Sequence, residues 1–514
     1  MGTSSRRVDA VLGIDIGSTN VKVVALDARG HVVARVRRAT PRPADDPSID
    51  AARLFGIIEE MAVAACGERY AVAGACAAGV GEDGILTDAA LTPLTPALAW
   101  FDPRRTELFD ALRTTLGPVL GPVPGAAPGA EPTPAPAPEA ALGLAPGSGP
   151  GPEPADGTVT GTDTGTVTGT STSTSTSTST DADTGTVTDA ARTLVGWAWA
   201  REQPGADRAS SWIALTDYVA CRWSGTAFLS DTLAARTGAW CPLPRTWLAD
   251  RVRATLGTTG LLPPVLPTGT AVGELRSARL ADAGLLAPGA LVVAGGHDHP
   301  VGGWGVDRLH PGAVLDSMGT AEVVVAQTPS PPRPSPGSFD ISPGIHNPAG
   351  ATVLRVEELA RNMQWASRDP DVARALGRLI SGDLKPDSSL HSGTFRPGAA
   401  GGRPPSYTPD APTAPLSRAS AVLGALAALG GRAVARVQSL TAPGAPVYSA
   451  GGWARSPGWV EVKEAVTGRA ARTIAEPEVT AVGAALLAAH ALGWAPSVTT
   501  ALDCRPRSSL SPAG

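Results

Sequence analysis

Gly13–Lys22 reads GIDIGSTNVK, and Asp316–Val325 reads DSMGTAEVVV. In each, an apolar run delivers an aspartate, a few small residues make a turn, and a second apolar run leaves it. Each is a strand–turn–strand unit. A turn built of Gly17, Ser18, Thr19 and Asn20 can bring backbone N–H groups and hydroxyls against phosphate oxygens, because glycine carries no side chain to block the approach. An ordinary hairpin prefers the same residues, so one such turn decides little. No Gly-Lys-Ser/Thr run opens a helix, which excludes a Walker A loop. A third glycine turn, SAGGWARSPGWVEVKEAVTG at Ser449–Gly468, opens a helix, and helix N-termini suit anions. Two hairpins in opposite halves of the chain, with a third turn beside them, predict a phosphate clamp across a cleft.

Working outward, the first hairpin extends into a three-strand meander, AVLGIDIGSTNVKVVALDARGHVVARVRRAT. A helix follows at SIDAARLFGIIEEMAVAAC, with apolar residues at i, i+3, i+4 spacing. Strands are expected at VAGACAAGV and GILTD, a strand–turn–strand in the 270s, and a second meander running from ALVVAGGHDHP through GAVLDSMGTAEVVVA. Long Ala/Leu helices flank APVYSAGG. The class is α/β, in two related domains with a ligand cleft between them. Expected boundaries are 8–265 and 266–498, with a disordered tail at 499–514. From 117 to 189 the chain turns to Pro/Gly/Ala and then to Ser/Thr/Gly repeats. Such a stretch holds too few large apolar side chains to offset its ordering entropy, so it reads as a disordered insertion within the first domain.

The chain has 514 residues, 43% of them hydrophobic, and a net charge of −5. That is a soluble composition without the basic excess that phosphate-backbone binding requires, so nucleic acid is not expected as a partner. Cys66, Cys76, Cys221, Cys241 and Cys504 form no CxxC pair and read as reduced thiols. The N-terminus has no apolar signal-like stretch and no run reads as membrane-spanning, so a cytoplasmic protein is expected. Lysine occurs only at Lys22, Lys385 and Lys463.

A further stretch, GGHDHP at Gly295–Pro300, sets Asp298 between two histidines where a strand-like run breaks. Metal ligand, catalytic base and plain polar loop are the three readings. No further Cys/His cluster completes a zinc site.

The order of motifs resembles the FGGY carbohydrate kinases. GIDIGSTNVKVVALD corresponds to the family's first phosphate hairpin, ALAWFDPRR to its W-x-D-x-R, and IALTDYVACRWSGTAFLSDTLAARTG to its core stretch. GGHDH corresponds to its G-x-x-D loop, SMGTAE to its second hairpin, and SAGGWARSPGWVEV…VTAVGAALLA to its adenine-side signature. The resemblance implies a two-domain actin-like (ribonuclease-H-like) ATPase fold and ATP-dependent phosphorylation of a small sugar or polyol. It makes Asp298 the general base and gives Asp15 a Mg²⁺ ion held through water. Gly17, Ser18, Thr19, Asn20, Lys22, Gly319, Thr320, Gly451, Gly452 and Ser456 would hold ATP. Glu82, Asp83, Trp100, Asp102, Asp298 and His299 would face the sugar, with Arg104 pairing locally. His299 would bind substrate or orient the base, and His297 would pack in the loop. Asp217 and Asp231 are expected to be structural. The chain would work as a monomer or homodimer, its domains closing on the ligands.

This sequence departs from the family's pattern in four places. Glu82-Asp83 stand where xylulokinases carry Gln-Met-His-Gly, and Trp453 replaces a small residue. Lys463-Glu464 replace Ala-Asp, and GGRPP (401–405) lacks a preceding glutamate. Two carboxylates suit a neutral ketose or polyol better than an anionic acid. The rival readings are an actin-like ATPase switch, which needs no sugar pocket, and a catalytically silent sugar binder.

Overall fold

The first expected meander forms as three antiparallel strands, Val8–Ile16, Asn20–Asp27 and Val32–Ala39, with Asp15 opposite Lys22. In this computed structural model, residues 7–44, 46–120, 179–180, 187–332, 339–399 and 403–504 are described. The meander is one edge of a six-stranded sheet that continues through Tyr70–Gly79, Leu286–His297 and Ala271–Glu274. Val8–Ile16 and Leu286–His297 both run parallel to Tyr70–Gly79. Leu12, Ile14, Val72 and Val292 are fully buried, as strands covered on both faces require.

The register has a direct consequence for function. Gly79 pairs with Ile16 on one side and with His297 on the other. Three strands therefore end level, and the Gly17 turn, the Gly81–Asp83 segment and the His297–Asp298 junction emerge along one carboxyl edge. In open α/β sheets, ligands bind at that edge.

The second sheet repeats the plan. Its order is Asp340–Gly344, Asn347–Glu357, Glu322–Thr328, Val314–Met318, Val447–Ala450 and Arg472–Thr473. Val314–Met318 is antiparallel to Glu322–Thr328, with Met318 opposite Glu322, and parallel to Val447–Ala450. The Gly319 and Gly451 turns thus leave neighbouring strands at the same edge.

Helices Asp298–Asp307 and Val479–Ala491 join the two sheets. One apolar core holds Val11 and Val24 of the first sheet, Leu315 and Val325 of the second, and Trp304 and Leu487 of these helices. The alanine-rich run in Val479–Ala491 permits very close packing. A Cβ built on Gly13 would lie 1.9 Å from the Ala481 carbonyl oxygen, so glycine is required where that helix crosses the strand. The apolar helix Pro415–Gln438 also packs inward, with Val422, Leu423, Leu426 and Val434 buried.

Three expectations need correction. The strand within ALVVAGGH does not join the second meander: with Ala271–Glu274 it pairs into the first sheet, so the sheets divide at Asp298 rather than at 265/266. The tail expected to be disordered from 499 contains a helical turn, Val498–Ala501, with Ala501 and Leu502 buried; 505–514 lie outside the described residues. The insertion expected at 117–189 is narrower. Helix Arg104–Leu120 runs into it, Ser179–Thr180 pairs with Val187–Thr188, and Asp189 is buried; the disorder expected for 121–178 and 181–186 falls outside the described residues.

Candidate active site

The strand Leu286–His297 passes straight into helix Asp298–Asp307, with His297 as N-cap. The helix opens two residues before Pro300, so Asp298 is its first residue. There its carboxylate lies at the positive end of the helix. Asp298 keeps 22% of its side-chain exposure, and its Oδ1 accepts the His299 backbone N–H at 2.6 Å. His297 Nε2 lies 3.2 Å from the same oxygen and His299 Nε2 3.7 Å. Burial pushes the His297 imidazole down to about 3, so the ring is neutral against the carboxylate. Its Nδ1 is buried without a hydrogen-bond partner, in a small cavity lined also by Arg236, Asp340 and Ser342. His297 therefore contacts the Asp298 carboxylate as well as packing. No group of three potential metal ligands occurs among the described residues.

The loop is braced from behind. The His297 backbone N–H donates to Thr232 Oγ1 at 3.1 Å, Thr232 pairs with Thr268 at 3.0 Å, and Thr268 donates twice to Asp231 Oδ1 at 3.0 Å. Asp217 accepts two 2.6 Å bonds from Ser230, and burial raises it to about 7. Both aspartates sit in the scaffold, as expected.

At the first turn, Thr40 Oγ1 donates to the Gly17 carbonyl at 2.7 Å and the Thr40 N–H donates to the Thr19 carbonyl at 3.0 Å. Arg42 donates to the Ser18 carbonyl at 2.5 Å and stacks over Phe101. Ser18 is half-buried and Thr19 is exposed at the tip. Asp15 is buried, which raises its pKa; Lys22 opposes that rise, and the Asp298 charge adds to it. Lys22 lies 2.8 Å from Asp15 and 3.3 Å from Glu478, so its ammonium is paired inward rather than held out at the turn.

Glu82 and Asp83, two of the expected sugar-facing residues, face arginines that the sequence did not point to. Glu82 Oε1 accepts Arg236 Nε at 2.7 Å, and its Oε2 accepts the Gly81 N–H at 3.0 Å. Arg236 also pairs with Asp340 on the second sheet, and Arg192 grips Asp340 with two 2.9 Å contacts. This chain of charges crosses from the first sheet's edge to the second sheet. Asp83 is fully buried; neither oxygen has a hydrogen-bond partner, and Arg105 lies 3.7 Å away. Burial lifts it to about 7 against the pull of Arg105. Arg105 itself is buried and donates to the carbonyls of Leu98, Ala99, Ala191 and Arg192. Asp102 is gripped by Arg104 Nε at 3.0 Å and its terminal nitrogen at 2.6 Å, so its carboxylate serves the Arg104 pairing. Trp100 is half-buried, edge-on to Phe101. The second arginine of PRR (Arg105) was the only available hint; Arg236 and Asp340 carried none.

At the other edge, Gly319 and Thr320 are exposed. The Gly319 N–H closes the turn onto the Ala321 carbonyl at 2.9 Å, and the Ala360 N–H holds the Thr320 carbonyl at 2.9 Å. Gly451 has φ +91°, and a Cβ there would lie 2.3 Å from the Met318 carbonyl oxygen, so this turn is pressed onto the strand that enters the Gly319 turn. Gly452 follows, and Ser456, buried, is the N-cap of helix Pro457–Thr467. Trp453 lies edge-on to Trp459, which accounts for its departure from a small residue. The arrangement offers two glycine turns, a carboxylate at a helix N-terminus and a polar wall beside it.

Comparison with known proteins agrees with this geometry. Residues 10–118 match the N-terminal domain of the FGGY family of carbohydrate kinases, and residues 357–492 match its C-terminal domain. A xylulose kinase of Streptomyces rubiginosus is 28% identical over 323 residues, which is 60% of this chain; the match spans 63% of that relative's length, less than two thirds of it. Among solved structures, the xylulose kinase of Rhodospirillum rubrum superposes with a TM-score of 0.70 at 18% identity, covering 96% of this chain and 92% of the other. Plasmodium falciparum glycerol kinase with ADP gives 0.71 at 13% identity, covering 98% and 94%. These similarities carry the two-domain actin-like ATPase fold, and with both family domains matched in order, the chain belongs to the FGGY family of carbohydrate kinases.

Proposed function

We propose that this protein transfers the γ-phosphoryl group of ATP to a hydroxyl of a small neutral sugar or polyol, with Asp298 as general base. The observation that carries the reading is the level ending of three strands, which sets Asp298, the Gly17–Asn20 turn and Glu82 along one edge. A sugar hydroxyl is a weak nucleophile. As its oxygen bonds to the γ-phosphorus and the bond to the ADP oxygen breaks, its proton passes to the Asp298 carboxylate. The His299 N–H holds that carboxylate in place at the helix N-terminus. Gly17, Ser18, Thr19 and Asn20 on one side, and Gly319, Thr320, Gly451, Gly452 and Ser456 on the other, would receive the nucleotide.

Burial raises the pKa of Asp15, and the charges of Asp298 and Glu478 add to that rise. Asp15, at the foot of the first turn, would hold Mg²⁺ through water, since hard cations on nucleotide phosphates keep most of their waters, and the ion would offset phosphate charge. Lys22 keeps Asp15 oriented. Glu82 lines the acceptor side with Trp100 and His299, with Asp83 buried behind it, which favours a neutral ketose or sugar alcohol; the xylulose kinase relatives are named for a ketose. The charge composition and free cysteines support a cytoplasmic enzyme without nucleic-acid or membrane partners, working as a monomer or homodimer.

The test is a coupled ADP-release assay with Mg-ATP across ketopentoses, ketohexoses, tetritols, glycerol and gluconate. One neutral acceptor is expected to stimulate turnover. Asp298→Asn, which keeps the Oδ1 acceptor, is expected to lower kcat by ~10²–10⁴-fold. Turnover independent of any acceptor would favour the ATPase switch, and none at all the silent binder.

A further inference from the structure

Lys463 stands where the family's pattern differs, and its surroundings explain what it does. Its Nζ lies 2.5 Å from Asp316 Oδ2, 2.6 Å from Glu322 Oε1 and 3.3 Å from Met318 Sδ. All three charged side chains are buried: 11% of the lysine, 3% of Asp316 and 2% of Glu322 remain exposed. Asp316 and Glu322 come from the two strands that meet at the Gly319 turn, with Met318 and Glu322 as the last pair of the ladder. Lys463 comes from helix Pro457–Thr467, which begins directly after the Gly451–Gly452 turn.

Two carboxylates at the base of one hairpin repel each other in a poorly solvated site. The ammonium between them removes that repulsion and ties both strands to the helix. Trp459 of the same helix adds a bond from Nε1 to Met318 Sδ at 3.1 Å. Helix Pro415–Gln438 closes the site from behind, since a Cβ on Gly430 would lie 2.0 Å from Glu322 Oε1. Burial and the Asp316 charge lift the Glu322 carboxyl to about 8 against the pull of Lys463, as two carboxylates crowded into one buried site require. Held by two carboxylates, the ammonium is not free to reach a phosphate, so it acts through the turns.

We propose that Lys463 is a positioning residue for the nucleotide: it locks the base of the Gly319–Thr320 turn to the helix following Gly451–Gly452 and so sets the spacing of the two turns. This rests on the kinase reading above. A displacement of about 1 Å in a binding group costs up to ~10²-fold. Lys463→Met in the full chain is expected to weaken binding of a fluorescent Mg-ADP analogue at least about tenfold, while the KM for the acceptor stays within about twofold. Glu322→Gln keeps the Asp316–Lys463 pair and is expected to weaken the analogue about threefold to fivefold; it carries the test alone should Lys463→Met not fold. Folded variants that bind the analogue like wild type would overturn the proposal, as would equal losses for nucleotide and acceptor. A wild-type protein that binds no analogue would overturn the kinase reading with it.

Discussion

Arg236 holds Glu82 and Asp340 together, and replacing it with glutamine separates two effects. Asp340 would keep Arg192, which grips it with two 2.9 Å contacts. Glu82, only 7% exposed, would keep nothing but the Gly81 N–H at 3.0 Å. The cost of Arg236→Gln is therefore mainly that of an unpaired carboxylate at Glu82. Breaking a buried pair from one side costs ~3–5 kcal/mol. Arg236 and Asp340 retain 15% and 20% exposure, and water relieves part of the penalty, leaving about 2–3 kcal/mol. For a domain of this size that is a fall of about 4–10 °C in Tm. Asp340→Asn should cost less, about 1 kcal/mol, because Arg236 keeps Glu82 and Arg192 keeps Asp189 at 3.3 Å. Thermal unfolding of Arg236→Gln, Glu82→Gln and the double variant closes a cycle, with an expected coupling of at least about 1.5 kcal/mol. With the acceptor found in the ADP-release assay, Arg236→Gln should also raise the acceptor KM about tenfold, since Glu82 would no longer be held. Single-variant effects that add to within about 0.5 kcal/mol would refute the reasoning.

Two further outcomes are expected. Gly451→Ala should weaken Mg-ADP binding at least about tenfold in a fluorescence titration, because a Cβ at 2.3 Å from the Met318 carbonyl must push the two turns apart. Gly468→Ala, also at positive φ but with nothing within 4 Å, should leave binding within about twofold; equal effects would assign the loss to backbone strain alone. Asp83 and Asp217 are each lifted to about 7, so the folded chain holds protons there that the unfolded chain releases above about pH 4. Their contribution is present in acid and is lost as pH rises through 7. His297, pushed down to about 3, acts oppositely, contributing above about pH 6.5 and failing as pH falls towards 3. Urea unfolding between pH 6 and 8 should show wild type losing stability and Asp83→Asn losing less; parallel slopes would count against a buried, protonated Asp83.

The parts of the fold that were legible in the sequence are those fixed by neighbours along the chain. The meander, the helix at 51–66 and the hairpin at Gly319 each follow from turn residues and apolar spacing within a short window. The misreadings are long-range. A strand such as Leu286–His297 looks the same whether it joins a hairpin or runs parallel to Tyr70–Gly79, more than two hundred residues away; only the tertiary pairing decides. The tail turn at Val498–Ala501 was hidden for the same reason, since the burial of Leu502 depends on the core it meets.

The site divides along the same line. The positions of Asp298, Asp15 and the glycine turns were legible because they are local, a carboxylate at a strand end or a turn between two strands, whereas the roles given to them came from the family resemblance. The groups that hold them were not legible. Arg236 and Asp340 lie 104 residues apart, and Lys463 lies 147 from Asp316. No spacing rule links an arginine in the turn after a short helix to an aspartate on another sheet. Lys463 stood out as one of three lysines and as a departure from the family's pattern, without a role until Asp316 and Glu322 are seen beneath the turn. A buried lysine alone would carry an unpaired charge, and the two carboxylates alone would repel; each makes sense only with the others. Exchanging one of the three for an apolar residue should therefore harm the site more than exchanging all three, which is the signature of a charge triad selected as a unit rather than of separate substitutions.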